Sequence, residues 1–449
     1  MTQDLPTGFV FGVATSAAQI EGAAVENGRT PSVWDAFAAV PGKIADGSDP
    51  SVAVDHYHRW REDVELLADL GVDAYRFSLS WSRLLPGGHG PVDQRGLDFY
   101  SRLIDALLEH DIAPWVTLFH WDMPVETMMA GGWLDRSSVD AFETYASAAG
   151  EAFGDRVAGW MTLNEPVVHT GYGYALGIDA PGLTLYGGAF QAAHHQLLAH
   201  GRAVSVLRSV APGVPVGIVN NHTVVRPASD RDEDLLAAGM YELYHNGQYA
   251  QPVLAGGYPE ALAMMPGAAM DCIHDGDLEA IAAPLDFYGV NFYQTTTVVA
   301  DPENPNLPFA FVEPADVPVT DFGWPVEPAA LTEFLVQLAG TYPSLPPVYV
   351  TENGCAYDDV VSQDGSIAPD DARIAYLDGY LDAVRRAIAA GVDVRGYFHW
   401  SLMDNWEWAE GFTRRFGLVR IEPDTLDRTP RASFAHYRNV IARHRASRE

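Results

Sequence analysis

The stretch Gly159-Trp160-Met161-Thr162-Leu163-Asn164-Glu165 decides the fold, because a short apolar run ends there in an amide and a carboxylate and a helix-like segment follows. Short apolar runs rich in β-branched and aromatic residues alternate with helix-like segments through the whole chain, which is the pattern of a parallel sheet. Counting this stretch there are eight such runs, and the other seven cover residues 9–19, 74–81, 114–121, 214–220, 285–293, 348–352 and 394–401.

The segments between the runs show helical periodicity. In residues 57–70, for example, Trp60, Val64, Leu67 and Ala68 fall on one face at helical spacing. Similar amphipathic helices are predicted over residues 97–110, 138–153, 189–210, 331–339 and 372–390.

Eight βα units without a long Gly/Ser linker between them predict a closed barrel. The expected fold is therefore of the α/β class, a (β/α)8 TIM barrel that forms a single domain over residues 1–449. Residues 21–54 and 293–349 are too long for ordinary βα connections and are predicted to be loops that form the mouth of the barrel.

The charge of the chain restricts its partners. Sixty acidic residues against 27 basic ones give a formal net charge of −33. Such a field repels phosphate backbones and anionic lipid surfaces, so neither nucleic acid nor a membrane is an expected partner. The only lysine is Lys43, in a loop-like Pro-Gly-Lys segment. Barrel aldolases and pyridoxal enzymes need a lysine amine on a strand, so both classes are disfavoured.

Cys272 and Cys355 are the only cysteines, too few and too far apart for a disulfide framework or a four-ligand zinc site. Neither a metal nor an organic cofactor is predicted. Residues 1–6 lack the regions of a secretory leader, and no run approaches the roughly 20 apolar residues that cross a bilayer. We therefore expect a cytoplasmic protein, and no particular oligomeric state is predicted.

Polar and aromatic residues end nearly every predicted strand. The active site of a TIM barrel lies at these carboxyl ends, so the side chains are expected to converge on one cavity. Sugars require such a mixture, because their hydroxyls need directional hydrogen-bond partners while the ring packs on aromatic planes. In chain order the ends carry Gln19, Arg76 to Ser80, His120, Trp121, Asn164, Glu165, Asn220, Asn221, His222, Asn291, Tyr293, Glu352, Asn353 and Trp400.

Glu165 and Glu352 end the fourth and seventh runs, on opposite sides of the predicted mouth. Two carboxyls that face each other across a glycosidic bond are the minimal machinery of glycoside hydrolysis, and a separation of about 5 Å leads to retention through a covalent intermediate. An apolar run precedes Glu165 and Pro166 follows it, an environment that can raise the pKa of an acid. Arg76 and Tyr293 are expected to hold Glu352 in its ionised form.

Each of these residues also has an ordinary structural explanation. A single glutamate at a strand end is more often solvated or ion-paired than catalytic. Taken singly, His120, His194 and His195 are expected to be structural histidines, and the tryptophans are compatible with the core. The coincidence of seven or eight sugar-compatible strand ends favours the active-site interpretation.

The chain resembles family 1 of the glycoside hydrolases, of the β-glucosidase type, through motifs that occur in the expected order over nearly its whole length. The Asn-Glu-Pro and Thr-Glu-Asn-Gly motifs at their separation are the most specific. The matching segments are residues 9–15, 19–22, 75–78, 80–83, 120–122, 162–166, 291–293, 351–354 and 405–408.

The resemblance implies a role for each site residue. Glu165 would be the acid/base and Glu352 the nucleophile, while Asn164 would bind the sugar 2-hydroxyl. The residues expected to support the nucleophile are Arg76, Asn291 and Tyr293. The substrate-binding residues would further include Gln19, His120, Trp121, Trp324, Trp400, Glu407, Trp408 and Phe416.

Positions that vary within the family narrow the expected substrate. Glu165 stands where the thioglucosidase branch carries glutamine, and the pair Glu407 and Trp408 is replaced in the phospho-glycosidase branch. Both observations favour an O-glycosidase for unphosphorylated sugars. Two positions depart from the family pattern: Ala18 stands where an aromatic residue is more frequent, and Asp179 stands where a histidine is common at the aglycone entrance.

The sequence thus predicts an exo-acting, retaining β-glucosidase that removes terminal non-reducing β-D-glucosyl residues from cellobiose-like disaccharides and small glycosides, with β-galactosides and β-fucosides as further substrates. A transglycosylase of the same fold is an alternative that the residues leave open. A non-catalytic sugar-binding homologue is disfavoured, because such proteins usually lose a catalytic glutamate and both are retained here.

Overall fold

The structure is a computed structural model, and it describes residues 5–264, 267–268, 270–361 and 367–447. Parallel strands, which we number β1 to β8, follow the order β5-β4-β3-β2-β1-β8-β7-β6, and β6 pairs with β5 to close the barrel. The predicted TIM barrel is confirmed, whereas its extent as one domain over residues 1–449 stays a prediction. The strands are Val10–Ala14, Ala74–Ser78, Ala113–Phe119, Gly159–Asn164, Val216–Pro227, Phe287–Ala300, Val348–Asn353 and Val394–Trp400.

Helices surround the barrel. The six helices predicted from the sequence lie close to their predicted bounds, whereas Asp232–Glu242 and Ala432–Ala446 were not predicted. In the described residues, the α-helices of eleven residues or more are His56–Leu70, Gln94–Glu109, Ser137–Phe153, Phe190–Val210, Asp232–Glu242, Pro328–Thr341, Asp371–Ala389 and Ala432–Ala446. Shorter α-helices are Ala17–Ile20, Val33–Ala38, Trp81–Leu84, Val125–Met129, Pro166–Val168, Gln248–Ala255 and Asp277–Ile281. Two π-helical segments, His169–Leu176 and Leu243–Gly247, lie on the mouth side.

The first strand is shorter than predicted. It ends at Ala14, and Gln19 lies on the short helix Ala17–Ile20 rather than at the strand end. The chain turns there because the backbone N–H of Ala17 donates 2.7 Å to the hydroxyl of Ser78 on β2. Gln19 is nevertheless carried to the mouth of the barrel, since this helix follows directly on the strand.

Strands β5 and β6 are longer than predicted and continue past the barrel rim as a pair. Their ladder extends to Pro227 opposite Val298, in a stretch whose threonines and valines favour extended backbone. The strand Phe309–Phe311 adds to β6 in antiparallel orientation. Part of the long loop predicted over residues 293–349 is therefore an ordered hairpin at the mouth.

Aromatic side chains fill the lower interior of the barrel. The ring of Trp115 on β3 lies 5.1 Å from that of Phe287, 4.8 Å from Tyr349 and 5.6 Å from Phe398. Such packing makes the barrel interior a solid core. Polar side chains can therefore gather only at the carboxyl ends of the strands, where a cavity opens.

Candidate active site

A cavity of about 1320 Å³, its open mouth included, lies at the carboxyl ends of the barrel strands. Both glutamates of the predicted pair face it. Its walls contain ten of the predicted site residues, namely His120, Trp121, Glu165, Tyr293, Trp324, Glu352, Trp400, Glu407, Trp408 and Phe416. The other four, Gln19, Arg76, Asn164 and Asn291, lie behind this wall and hydrogen bond to its members.

Glu352 on β7 is held by two partners from other strands. Arg76 of β2 forms an ion pair with Oε1, and both side chains are buried. The hydroxyl of Tyr293 on β6 donates to Oε2 at 2.7 Å. Glu352 is therefore held in position from two sides, by a cation and by a hydrogen-bond donor.

Arg76 also connects Glu352 to the strand that carries the second glutamate. Its Nη2 donates to Oδ1 of Asn164 at 2.5 Å, and Nη1 donates to the carbonyl of Thr351 at 3.2 Å. The amide nitrogen of Asn164 lies 3.0 Å from Nε2 of His120. One buried guanidinium thereby ties side chains of β2, β4 and β7 into a single network below the cavity.

Glu165 directly follows β4 in a left-handed conformation, with φ of 45° and ψ of 61°. Its Oε1 accepts hydrogen bonds from Asn221 at 2.9 Å and Asn291 at 2.8 Å. Burial, reinforced by the charge of Glu352, raises the pKa of Glu165 to about 8 although both amides lower it. This carboxyl therefore keeps its proton at neutral pH, as a general acid must.

The expected contact between Asn291 and the nucleophile is not the one that the structure shows. The sequence places it beside the nucleophile, and in the ladder it does stand opposite Glu352. Its amide nitrogen, however, donates to Glu165 and, at 3.1 Å, to Asn164. The hydroxyl of Thr351 holds the amide in that orientation by donating to Oδ1 at 2.7 Å. Asn291 thus acts on the acid side of the site.

Glu407 lines the cavity, and Gln19 holds its carboxyl from behind the wall. Nε2 of Gln19 donates to Glu407 at 3.0 Å and to Asn405 at 2.9 Å. The hydroxyl of Ser16 donates to Gln19 Oε1 at 2.6 Å and fixes the amide orientation. Burial, with the charge of Glu352 as the next cause, raises the pKa of Glu407 to about 8.

Aromatic planes line two sides of the cavity. On one side the rings of Trp121 and Trp408 lie 4.6 Å apart, next to His120. On the other side Trp324 stacks on Phe322 at 4.3 Å, and Phe416 lies 5.8 Å from Trp324. Trp400 also faces the cavity. Aromatic rings of this kind pack against the C–H face of a pyranose, while its hydroxyls need polar partners.

A hydrogen-bonded chain that sequence reasoning missed supports the acid. The hydroxyl of Tyr241 donates to Nδ1 of His245 at 3.1 Å, and Nε2 of His245 donates to Oδ1 of Asn221 at 3.0 Å. Burial lowers the pKa of His245 to about 3, so the ring is neutral. Asn221 is among the predicted strand ends, whereas His245 lies in the π-helical segment Leu243–Gly247, whose sequence shows no apolar periodicity.

The mouth of the cavity is acidic. Asp179 and Glu410 line it with the three glutamates, and among the described lining residues there is no lysine or arginine. Burial, followed by the charge of Glu410, raises the pKa of Asp179 to about 7. Lys43 stands beside this rim, where its Nζ donates to the carbonyl of Gly177 at 3.3 Å. An anionic substrate therefore finds no cationic side chain among the described residues that line the cavity.

His194 and His195 have structural surroundings. His194 lies between Tyr258 and Asp277, each at 3.0 Å, and Nδ1 of His195 lies 2.8 Å from the carbonyl of Trp133.

Within the described ranges, no three side chains of the metal-binding types are grouped to hold an ion. No helix of the described chain has both the length and the apolar character needed to cross a membrane.

The model of the glycosyl hydrolase family 1 matches residues 1–446. The chain belongs to this family. Within family 1, β-glucosidase A of Thermotoga maritima is 43% identical over 437 residues, which cover 97% of each chain. The bifunctional β-D-glucosidase/β-D-fucosidase of Bifidobacterium breve is also 43% identical, over 99% of this chain and 100% of its own. Among solved structures, the psychrophilic β-glucosidase of Micrococcus antarcticus superposes with a TM-score of 0.94 at 44% identity, covering 99% and 98% of the two chains.

Proposed function

We propose that this family 1 protein is a retaining, exo-acting β-glucosidase in which Glu352 is the nucleophile and Glu165 the acid/base. The observation that carries the proposal is that two buried glutamates lining one cavity have different electrostatic surroundings. Glu352 is paired with Arg76, whereas the pKa of Glu165 is raised to about 8. Environments that separate the protonation states of two neighbouring carboxyls divide the roles of base and acid between them.

In the first step, a carboxylate oxygen of Glu352 attacks the anomeric carbon of the glucosyl residue. The bond from that carbon to the leaving oxygen breaks as Glu165 transfers its proton to the same oxygen. The products are an alcohol and a glucosyl ester on Glu352. The Tyr293 hydroxyl and Arg76 then face an ester instead of a full charge, which lowers the pKa of Glu165 because one of its raising causes is the charge of Glu352.

In the second step, the ionised Glu165 removes a proton from a water molecule. The hydroxide oxygen attacks the anomeric carbon, and the ester bond to Glu352 breaks. Two inversions at one carbon give net retention, and both glutamates return to their starting protonation states. The two steps need no group beyond these side chains and water.

The cavity supports unphosphorylated sugars as substrates. In the described part of the chain, no lysine or arginine lines it, and two of its five carboxyls, Glu165 and Glu407, have pKa values raised to about 8. A 6-phosphate would be buried there without a cationic partner. A β-D-fucoside differs from a galactoside by lacking the 6-hydroxyl, and we include β-fucosides and β-galactosides as secondary substrates. The fucosidase activity named for the Bifidobacterium relative is consistent with that breadth.

The test of this proposal is a panel of nitrophenyl α- and β-glycosides together with cellobiose and lactose. The anomer formed first is read by NMR before mutarotation. The expected result is fastest turnover of the β-glucoside, with β-glucose as the first product. A preference for α-glycosides, or a first product of inverted configuration, would contradict the proposal.

The roles of the glutamates are tested by Glu352→Ala and Glu165→Ala. Glu352→Ala is expected to lose turnover by four or more orders of magnitude and to form an α-glucosyl azide when azide is added. Glu165→Ala is expected to keep the first step for a dinitrophenyl leaving group, which needs no proton, and to form a β-glucosyl azide. Glu279→Ala, at an exposed glutamate of the helix Asp277–Ile281, is the matched control and should retain wild-type rates.

We also propose the cytoplasm as the compartment. The two cysteines support it, because Cys272 and Cys355 are not joined in a disulfide and Cys355 is buried. Proteins of oxidising compartments more often contain disulfides. Fractionation of the source cells tests this: activity in the periplasmic or secreted fraction would refute it.

A further inference from the structure

The guanidinium of Arg76 sets the direction of the hydrogen bonds that reach the acid. An arginine side chain carries only donors, so the Asn164 atom that lies 2.5 Å from its Nη2 must be the carbonyl oxygen Oδ1. The same oxygen lies 3.1 Å from the side-chain amide of Asn291. Because Oδ1 can only accept, Asn291 must present its nitrogen there. The orientation of both amides therefore follows from a side chain that is always charged.

The oriented amide of Asn291 determines which oxygen of Glu165 carries the acid proton. Nδ2 of Asn291 donates to Oε1 at 2.8 Å, and Nδ2 of Asn221 donates to the same oxygen at 2.9 Å. Two such bonds occupy both lone pairs of a carbonyl oxygen, so the proton of the neutral carboxyl resides on Oε2. Oε2 has no partner among the described residues and reaches the cavity that Glu165 lines. The proton is thus held on the oxygen that can face a leaving group.

Thr351 of β7 holds the other end of the Asn291 amide. Its hydroxyl donates to Oδ1 at 2.7 Å, and both side chains are fully buried. Among the described residues, this hydroxyl is the one partner of that oxygen. Without it, Oδ1 would be buried and unsatisfied, and the amide would turn or tilt toward another donor. The hydroxyl of Thr351 is therefore placed to keep the amide in register with Glu165.

We propose that Thr351 is a positioning residue for proton transfer: through Asn291 it keeps Oε1 of Glu165 as the accepting oxygen and Oε2 as the oxygen that delivers the proton. This inference rests on the proposed function, in which Glu165 is the acid. Neither Thr351 nor Asn291 lines the cavity. In the first step the proton passes from Oε2 to the glycosidic oxygen as its bond to the anomeric carbon breaks, and in the second step Oε2 takes a proton from water.

Several titratable or charged groups surround Glu165, and none of them bonds to the Thr351 hydroxyl. Burial raises the pKa of Glu165 most and the charge of Glu352 raises it further, whereas the two amides and Arg76 lower it. The other titratable groups around it are Tyr172, Tyr293, Glu407 and, behind Asn221, the neutral His245. A substitution that removes only the hydroxyl should therefore change the pKa of Glu165 through the Asn291 amide.

The experiment compares kcat/KM for cellobiose and for a dinitrophenyl β-glucoside in Thr351→Val, which removes the hydroxyl at nearly constant volume. In both cases kcat/KM reports the first step, but only the glucose that leaves cellobiose needs the proton. The value for cellobiose should fall by about 10-fold or more, and the value for the dinitrophenyl glucoside by less than about 3-fold. The alkaline limb for cellobiose should move up by about 0.5 to 1 pH unit, because a bond that lowers the pKa of Glu165 is weakened.

Two further variants separate this role from a general loss of structure. Thr351→Ser keeps the hydroxyl and should recover the cellobiose value to within about 3-fold of the wild type. Thr162→Val is the matched control, since Thr162 of β4 is equally buried and its hydroxyl lies 2.6 Å from Nδ1 of His200, away from the cavity lining. Its ratio between the two substrates should equal that of the wild type.

A double variant tests whether Thr351 acts through Asn291. In the Asn291→Ala background, Thr351→Val should cause little further loss, because two substitutions in one hydrogen-bonded chain do not add. Additive losses would overturn the inference.

Equal losses for the two substrates in Thr351→Val would also overturn it, since they would point to Glu352, the next residue in the chain, and so would wild-type rates and an unchanged alkaline limb. Should Thr351→Val not fold, the smaller Thr351→Ala is measured in the same way. Failure of the parent function has a different signature, because the wild type would then not hydrolyse β-glucosides with retention.

Discussion

The side-chain amide of Asn221 donates to the carboxyl of Glu165 at 2.9 Å, while its carbonyl oxygen accepts from His245 at 3.0 Å. The neutral histidine therefore fixes which end of the amide faces the acid. A flipped amide would present an oxygen to Glu165 and stabilise the protonated form only.

This relationship gives a prediction for the pH dependence of kcat/KM. Glu165 must be protonated, so the rate falls as the pH rises through its pKa, and the alkaline limb is expected near pH 8. The hydrogen bond from Asn221 lowers that pKa. Asn221→Ala should therefore move the alkaline limb to higher pH, and His245→Ala should move it in the same direction by less. A shift to lower pH in either variant would contradict the arrangement.

The raised pKa also predicts a gain in stability when the acid is removed. An unfolded glutamate loses its proton above about pH 4.3, while the buried Glu165 retains it up to about 8. Folding thus takes up a proton, and stability falls as the pH rises between those values. Glu165→Gln should leave Tm nearly unchanged at pH 4 and should raise Tm at pH 8 by roughly 1–5 °C. Calorimetry at both values checks the difference, and an equal Tm change at the two would disagree with it.

Tyr293→Phe removes the 2.7 Å hydrogen bond to Glu352 and keeps the ring. Without this bond the Glu352 carboxylate is no longer held in the orientation that attack requires, so kcat/KM for an aryl β-glucoside is expected to fall by about 10- to 100-fold. Tyr380→Phe is the control: its hydroxyl makes a 3.4 Å contact with the Tyr293 carbonyl and does not reach the cavity. Comparable losses in the two variants would point to packing instead of the bond to Glu352.

Arg431 is expected to stabilise the segment that carries Glu407. Its guanidinium is buried between Asp359 and Asp404, and Asp404 lies three residues before Glu407. Arg431→Met would leave Asp404 and Asp359 with one longer ion pair each, to Arg415 and Arg420 at 3.3 Å. The expected loss of stability is on the order of 1–3 kcal/mol, and KM should rise more than kcat falls. Arg438→Met is the matched control because the ion pair with Asp69 is exposed, with an expected effect below about 1 kcal/mol. Denaturant unfolding measures both.

The fold and the main site could be predicted because they follow from local patterns. Glu165 and Glu352 each end an apolar run. The parallel strands of a barrel bring such ends together regardless of the length and conformation of the loops. Arg76 and Tyr293 were expected beside Glu352, and the structure places both in contact with it. For Arg76 and Tyr293, their places at predicted strand ends were enough to predict the contact with Glu352.

The parts that were missed depend on side-chain direction and on loops. Asn291 stands opposite Glu352 in the ladder but turns its amide to Glu165, because Thr351 holds the other end of that amide. His245 belongs to a π-helical segment without apolar periodicity, and it reaches Asn221 only through the packing of residues 241–249.

The position of Lys43 at the rim of the cavity determines how the protein would be oriented on a solid support. It is the only side-chain amine of the chain, it donates to Gly177 two residues before Asp179, and its Nζ lies 4.9 Å from the ring centre of Phe37. An amine-reactive resin that captures the protein through this side chain would turn the cavity mouth toward the solid support. Coupling through surface carboxyls instead would leave the mouth facing the solution, and the same lysine could then carry a dye that reports on what enters.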